Sequence, residues 1–287
     1  MSNLKTIVNS CGEYYDPVTI SGVYDRNVEV LKIPTHEGYA PINNIFIDAF
    51  VGMPNLKRVE IDDAMLRYYE CFRCYPEVYS ELRQSYSEWA KNQTELNYWS
   101  LPAYATDYSD LFIGAEDVRK VVIPPGVTNI RNAFSGSKIE QILIPESVSQ
   151  MECALRDCPD LKEIVVMGEY NDGDLFGPSP SQVETVVCVS KRPVILGSTP
   201  NATWYVPYDS ENEYKEAFEG VNESCHSIGC PKVAYKEIKS LAFFDASDYP
   251  NQWSLLKAIK QDYDAVEKLI RQEVAQIYKE LFDSNTL

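Results

Sequence analysis

One spacing constrains this chain more than any other: apolar-x-x-apolar-x-apolar, written six times. The copies are Val28, Leu31, Ile33; Leu56, Val59, Ile61; Val118, Val121, Ile123; Ile139, Ile142, Ile144; Leu161, Ile164, Val166; and Val183, Val186, Cys188. Proline follows directly in three of them, as Pro34, Pro124 and Pro145. A second pattern begins six or seven residues before four copies: Ala49-Phe50-Val51-Gly52-Met53, Leu111-Phe112-Ile113-Gly114-Ala115, Ala133-Phe134-Ser135-Gly136-Ser137 and Ala154-Leu155-Arg156-Asp157-Cys158. Ile123 and Ile144 are 21 residues apart, Ile144 and Val166 are 22. A strand this short cannot bury its apolar face alone, whereas copies stacked side by side make a parallel sheet over one continuous core. The Ala-Phe pair is then expected to form a turn or short helix on the far side, its ring filling the space between sheet and outer wall, while proline ends each ladder. The period predicts an α/β repeat fold in which each copy is one rung.

These residues resemble the leucine-rich repeat of the BspA type, whose unit runs roughly L-x-x-I-x-I-P, V-x-x-I, A-F-x-x-C. Val118 to Val166 is the best stretch, with Ile123-Pro124-Pro125-Gly126-Val127-Thr128-Asn129-Ile130 before Ala133-Phe134 and Ile144-Pro145-Glu146-Ser147-Val148 before Ala154-Leu155 and Cys158. Cys188 to Phe218, with Pro193, Trp204-Tyr205-Val206-Pro207, Ser210 and Tyr214-Lys215-Glu216-Ala217, is similar to the segment that closes such arrays in proteins of Bacteroides and their relatives. The resemblance covers residues 28–61 and 109–218, and His36-Glu37-Gly38-Tyr39-Ala40-Pro41 departs from it by lengthening the first loop. It implies a short solenoid of parallel strands whose surface recognises other proteins. The organisation expected is an N-terminal cap (1–27), first repeats (28–61), a helical insert (62–109), further repeats (110–190), a closing segment (191–230) and a C-terminal helical extension (231–287).

The insert breaks the period. Its composition predicts one helix capped by Asp62 or Asp63 and a second starting at Pro76, where proline is tolerated in the first turn. In the second, Tyr79, Leu82, Tyr86 and Trp89 fall on one stripe. The insert also holds eight of the 20 tyrosines and two of the four tryptophans. Such side chains combine contact area with a polar handle and are enriched at interface hot spots, so Tyr79, Tyr86, Trp89, Tyr98 and Trp99 are candidate partner contacts. Packing into a small helical core against the repeats is the other reading of the same aromatics.

Past a strand expected at Val233 to Ile238, Asn251 to Phe282 contains neither Gly nor Pro. Leu256, Ile259, Tyr263, Val266, Ile270 and Ile277, joined by Val274 and Leu281, make an apolar stripe on about 45 Å of predicted helix. Its two readings are docking on its own chain and pairing with another subunit.

Charge and chemistry narrow the function. Lys plus Arg number 26 against 43 Asp plus Glu, a net charge of −17, which disfavours a sequence-blind grip on nucleic acid or anionic membrane. With only His36 and His226, the commonest general base is scarce. No G-x-S-x-G, G-x-G-x-x-G or Walker loop occurs. Cys71-x-x-Cys74 has the spacing of half a zinc site, with Cys225, His226 and Cys230 as a conceivable other half, but isolated reduced thiols are the simpler reading. Asn171-Asp172-Gly173-Asp174 reads as a turn rather than a calcium loop. The expectation is a non-enzyme with no cofactor, no metal and no membrane insertion.

The opening MSNLKTIVNSCGEYYDPV has no apolar run of secretory length. Together with the terminal helix, this leads to the expectation of a protein-binding or structural subunit of a homo- or hetero-assembly, such as a bacteriophage virion, made in the host cytoplasm. A bacterial surface adhesin or host-factor-binding protein is the alternative.

Overall fold

The computed structural model describes residues 4–6, 18–20, 25–33, 42–97, 100–170, 174–177, 181–188, 190, 192–207, 210–224 and 233–240. The chain divides into two compact units, Met1–Ala90 with Ser100–Ala105, and Lys91–Trp99 with Thr106–Leu287.

In the first unit, β1 (Leu4–Thr6), β3 (Val30–Ile33) and β5 (Arg58–Ile61) form a parallel sheet in the order β1-β3-β5, and β2 (Val18–Ile20) pairs in parallel with β4 (Ile42–Ile45). The first two repeat copies supply β3 and β5. Along β3 the apolar members Leu31 and Ile33 are buried and Lys32 between them is exposed, the alternation of a sheet with one face in water. A 3-10 helical segment, Asp63–Phe72, kinked at Tyr68 (φ −94°, ψ 17°), follows β5, and α1, Pro76–Lys91, opens on the expected proline. Asp62 precedes the 3-10 helix in extended conformation without a side-chain capping bond, so the segment lacks the cap its sequence offers.

The second unit holds a seven-stranded parallel sheet made of β6 (Glu95–Leu96), β7 (Lys120–Val122), β8 (Gln141–Ile144), β9 (Glu163–Val166), β10 (Thr185–Cys188), β11 (Thr199–Val206) and β12 (Tyr235–Ser240), in strict chain order. The other four repeat copies supply β7 to β10. Their register places Val121, Ile142, Ile164, Val186 and Trp204 side by side, all fully buried. Away from the sheet the rungs stay in step. Phe112 N donates to Ala133 O (2.9 Å), Phe134 N to Ala154 O (3.0 Å), Gly114 N to Ser135 O and Gly136 N to Arg156 O (both 2.8 Å), and Asp107, Asn129 and Gln150 form a further parallel ladder. The Ala-Phe pairs are turns rather than short helices. The rings of Phe112 and Phe134 stack at 5.0 Å and 7°, as the expected filling behind the sheet.

Closing each turn requires left-handed backbone, and it recurs by rung: Asp110 (φ 58), Asn132 (φ 53) and Cys153 (φ 54) at one position, and Gly114 (φ 66), Gly136 (φ 70) and Asp157 (φ 55) at another. Gly, Asn and Asp enter that region at small cost, whereas Cys153 pays the full steric penalty.

α2, Glu211–Ser224, sets Phe218 edge-on to Trp204 at 5.0 Å, with Tyr214 beside them. Trp204 Nε1 donates to Thr199 Oγ1 at 2.9 Å. The Asn222 carboxamide ties α2 to the approach of β12 by accepting from Val233 N (2.7 Å) and donating to Val233 O (3.0 Å).

Candidate protein-binding surfaces

In α1 the residues that face the core are Val78, Leu82, Tyr86 and Ala90, one every fourth position. Tyr79 and Trp89 flank that line and are half-buried. The buried row therefore lies slightly off the stripe read from the aromatics alone, because the small Val78 and Ala90 let the helix approach closely while the larger rings sit at its borders. Tyr86 is fully enclosed, its hydroxyl donating to Ser100 O at 2.9 Å and its ring lying 5.5 Å from Tyr69 and 5.8 Å from Trp89. Tyr79 donates to Glu70 Oε1 at 3.0 Å and meets Tyr69 edge-on. Thus Tyr69, which the stripe did not include, is the hub of this aromatic cluster. Tyr98 and Trp99 lie outside the described residues, as do Leu256, Ile259, Tyr263, Val266, Ile270 and Ile277.

The same unit is pinned by Tyr75. Its hydroxyl donates to Phe50 O and accepts from Met53 N at 3.2 Å, while Phe72 stacks on Phe50 at 4.7 Å. The insert is thereby tied to an Ala-Phe turn of the repeat. Val51 on that turn is 59% exposed, and Phe46 just before it is also exposed.

Of the Cys71–Cys74 pair, Cys71 is buried with its thiol toward Ile45 O (3.7 Å), and Cys74 is exposed. Burial, reinforced by Glu70, pushes the Cys71 thiol up to about 12. Burial likewise raises Cys188 to about 12, against a hydrogen bond from Tyr214 that lowers it, and lifts Cys158 above its ordinary range. Thiols held protonated in this way are poor nucleophiles and poor metal ligands at neutral pH. Cys225, His226 and Cys230 lie outside the described residues, as do Asn171 to Gly173. Among the described residues no group of three His, Cys, Asp or Glu side chains is arranged to hold a metal ion, and no helix is long and apolar enough to cross a membrane.

The feature that a reading of one apolar face overlooked is in the seven-stranded sheet. Strand alternation puts Val122, Leu143, Val165, Val187 and Tyr205 on the face opposite Trp204, in one cross-strand row. These five are only 0–4% exposed. The row ends at Lys239 on β12, which is exposed. Beside it runs a polar row, Lys120, Gln141, Glu163, Thr185 and Thr203, in which Gln141 Nε2 donates to Glu163 Oε2 and Gln141 Oε1 is shut off from solvent without a hydrogen-bond partner. The signal was present in the runs Val121-Val122-Ile123, Ile142-Leu143-Ile144, Ile164-Val165-Val166 and Val186-Val187-Cys188, since parallel strands covered on both faces read as continuous apolar segments.

Neither a scan against protein-family models nor searches of curated proteins and of solved structures returns a match for this chain.

Proposed function

We propose that this chain is a non-catalytic protein-binding subunit built on BspA-type leucine-rich repeats, serving in a larger assembly such as a bacteriophage virion. What supports the repeat reading is the in-register recurrence of one rung, 21 or 22 residues long, with strand, turn, stacked ring and left-handed residue each returning at its own place. A stack of such rungs is a short solenoid, and solenoids offer extended surfaces suited to proteins rather than enclosed pockets suited to small molecules. The half-buried Tyr79 and Trp89 and the stripe Leu256 to Ile277 are the contacts assigned to partners, which are other protein subunits of a homo- or hetero-assembly.

Density-gradient fractionation of the source culture, probed with an antibody to the full chain, tests this reading. Co-banding with particles at constant stoichiometry is the expected result. Recovery of the chain at the cell surface, labelled by a membrane-impermeant reagent and missing from particles, would overturn it in favour of the adhesin.

A further inference from the structure

The 3-10 segment after β5 keeps the spacing of a rung. We infer that residues 62–75 complete a further copy of the repeat, so that the interruption begins only at Pro76 and the surface it offers to partners is that of α1.

Counted from the last apolar member of each copy, Ile61, Ile123 and Ile144, the segments 62–75, 124–137 and 145–158 are each 14 residues long and match place by place. Met65, Tyr68, Cys71 and Phe72 stand where one segment has Val127, Ile130, Ala133 and Phe134 and the other has Val148, Met151, Ala154 and Leu155, and all twelve are buried. Backbone bonds recur at the same places. Met65 N donates to Asp62 O as Val127 N does to Pro124 O and Val148 N to Pro145 O; Arg73 N donates to Glu70 O as Ser135 N does to Asn132 O and Arg156 N to Cys153 O; Tyr75 N donates to Phe72 O as Ser137 N does to Phe134 O.

The segment also meets its neighbour as a rung does. Phe72 follows Phe50 by 22 residues and stacks on it at 4.7 Å and 10°, as Phe134 follows Phe112 by 22 and stacks at 5.0 Å and 7°. The Tyr75 hydroxyl donates to Phe50 O from the place where the Cys158 thiol donates to Phe134 O. Two departures hide the copy. Asp62 replaces the proline that follows Ile123 and Ile144, and Glu70 and Cys74 stay out of the left-handed region that Asn132 and Gly136 occupy, so the backbone winds as 3-10 turns.

Tyr69 falls at the outward place, where Arg131 and Glu152 of the other two segments form an ion pair at 2.9 Å. Here that place meets Tyr79 and Tyr86, both at 5.5 Å, so α1 lies over the outer side of this rung. The inference rests on the repeat reading and narrows the binding surface: within residues 62–91 the partner contacts are those of α1, Tyr79 and Trp89, while Met65, Tyr68, Cys71 and Phe72 belong to the rung interior.

The test is a full chain in which 62–75 are replaced by a copy of 124–137 with Tyr69 kept, read by amide exchange. Protection of β3 and β5 within about tenfold of the parent chain is expected, because each rung contacts only its neighbours and one can stand in for another. A control chain carries a copy of 145–158 in place of 124–137, with Phe134 kept. A larger loss in β3 and β5 while the control retains β7 and β8 overturns the inference and leaves the repeat standing; a larger loss in both chains overturns the repeat reading and the inference with it. In the unaltered chain, peptides from 62–75 should exchange within about tenfold of β5, as parts of one cooperative unit do. Faster exchange than that would mean an appended segment and likewise overturns the inference.

Discussion

Removing the ring of Phe134 should be among the most damaging single changes in the seven-stranded unit. Phe134 is fully buried, stacked on Phe112 at 5.0 Å and held in a turn whose amide bonds Ala154 O at 3.0 Å. Phe134→Ala loses the transfer free energy of a whole ring and leaves a cavity, together about 3–5 kcal/mol. The upper part of that range is expected, because the neighbouring rungs are fixed by hydrogen bonds of 2.8–3.0 Å at Gly136, Phe112 and Phe134 and cannot collapse into the space. For a unit of this size each kcal/mol is worth about 2–4 °C, so the midpoint should fall by about 6–20 °C. Urea unfolding read through amide exchange of peptides from β7, β8 and β9 confines the measurement to this sheet. Ile113→Ala is the control: the side chain is 43% exposed on the adjacent turn and should change stability by no more than about 0.5 kcal/mol. In the double mutant Phe112→Ala/Phe134→Ala the losses should fall short of additivity by about 0.5–1.5 kcal/mol, the worth of the ring pair. A loss below about 1 kcal/mol for Phe134→Ala, or strict additivity, would show that the stacked rings do not form the spine of the rungs.

Backbone and thiol chemistry supply two further tests. Cys153→Asn should raise stability by up to about 1 kcal/mol by relieving left-handed strain, while Gly136→Ala should cost about 1 kcal/mol for its φ alone, its new methyl meeting nothing nearer than Gly114 Cα at 4.0 Å; a rise on Gly136→Ala in thermal unfolding would contradict the assignment. The folded-state values of Cys71 and Cys188 lie above their ordinary 9.0, at about 12, so the stability carried by their neutral forms is complete below pH 9 and is lost as the pH climbs from 9 toward 12, where only the unfolded thiols ionise. Cys71→Ala and Cys188→Ala should therefore flatten the alkaline decline, and a decline of undiminished steepness in both would refute the account. At pH 8 in the folded protein, Cys74 should react with a maleimide while Cys71 and Cys188 stay unlabelled.

Several elements were legible because their cause is local. All six repeat copies form strands, Pro76 opens α1, and Phe112 and Phe134 stack behind the sheet, each following from periodicity, proline geometry or the size of one ring. Other elements were not legible because their cause lies across the fold. Val122, Leu143, Val165 and Val187 looked like spacers between inward residues, and nothing in one strand says whether its second face meets water or another layer. Tyr69 became an aromatic hub because Tyr79 and Tyr86 reach it from α1, which no spacing within the 3-10 helix reveals. The left-handed positions were legible only in part. Gly114, Gly136 and Asn132 are residues that permit such backbone, but Cys153 adopts it because the hydrogen bonds of the neighbouring rungs hold its main chain there.

The sequence alone determined the rung: its length, its strand, its turn and the side chains that fill it, since each depends on a few residues of near sequence and on stacking against a copy of itself. The tertiary structure decided which aromatics stay at the borders of a packed helix, which thiols are sealed, and that the seven-stranded sheet buries an apolar row on each face while the β1-β3-β5 sheet keeps Lys32 in water. Those outcomes depend on which surfaces meet, and desolvation is a property of the meeting rather than of either surface.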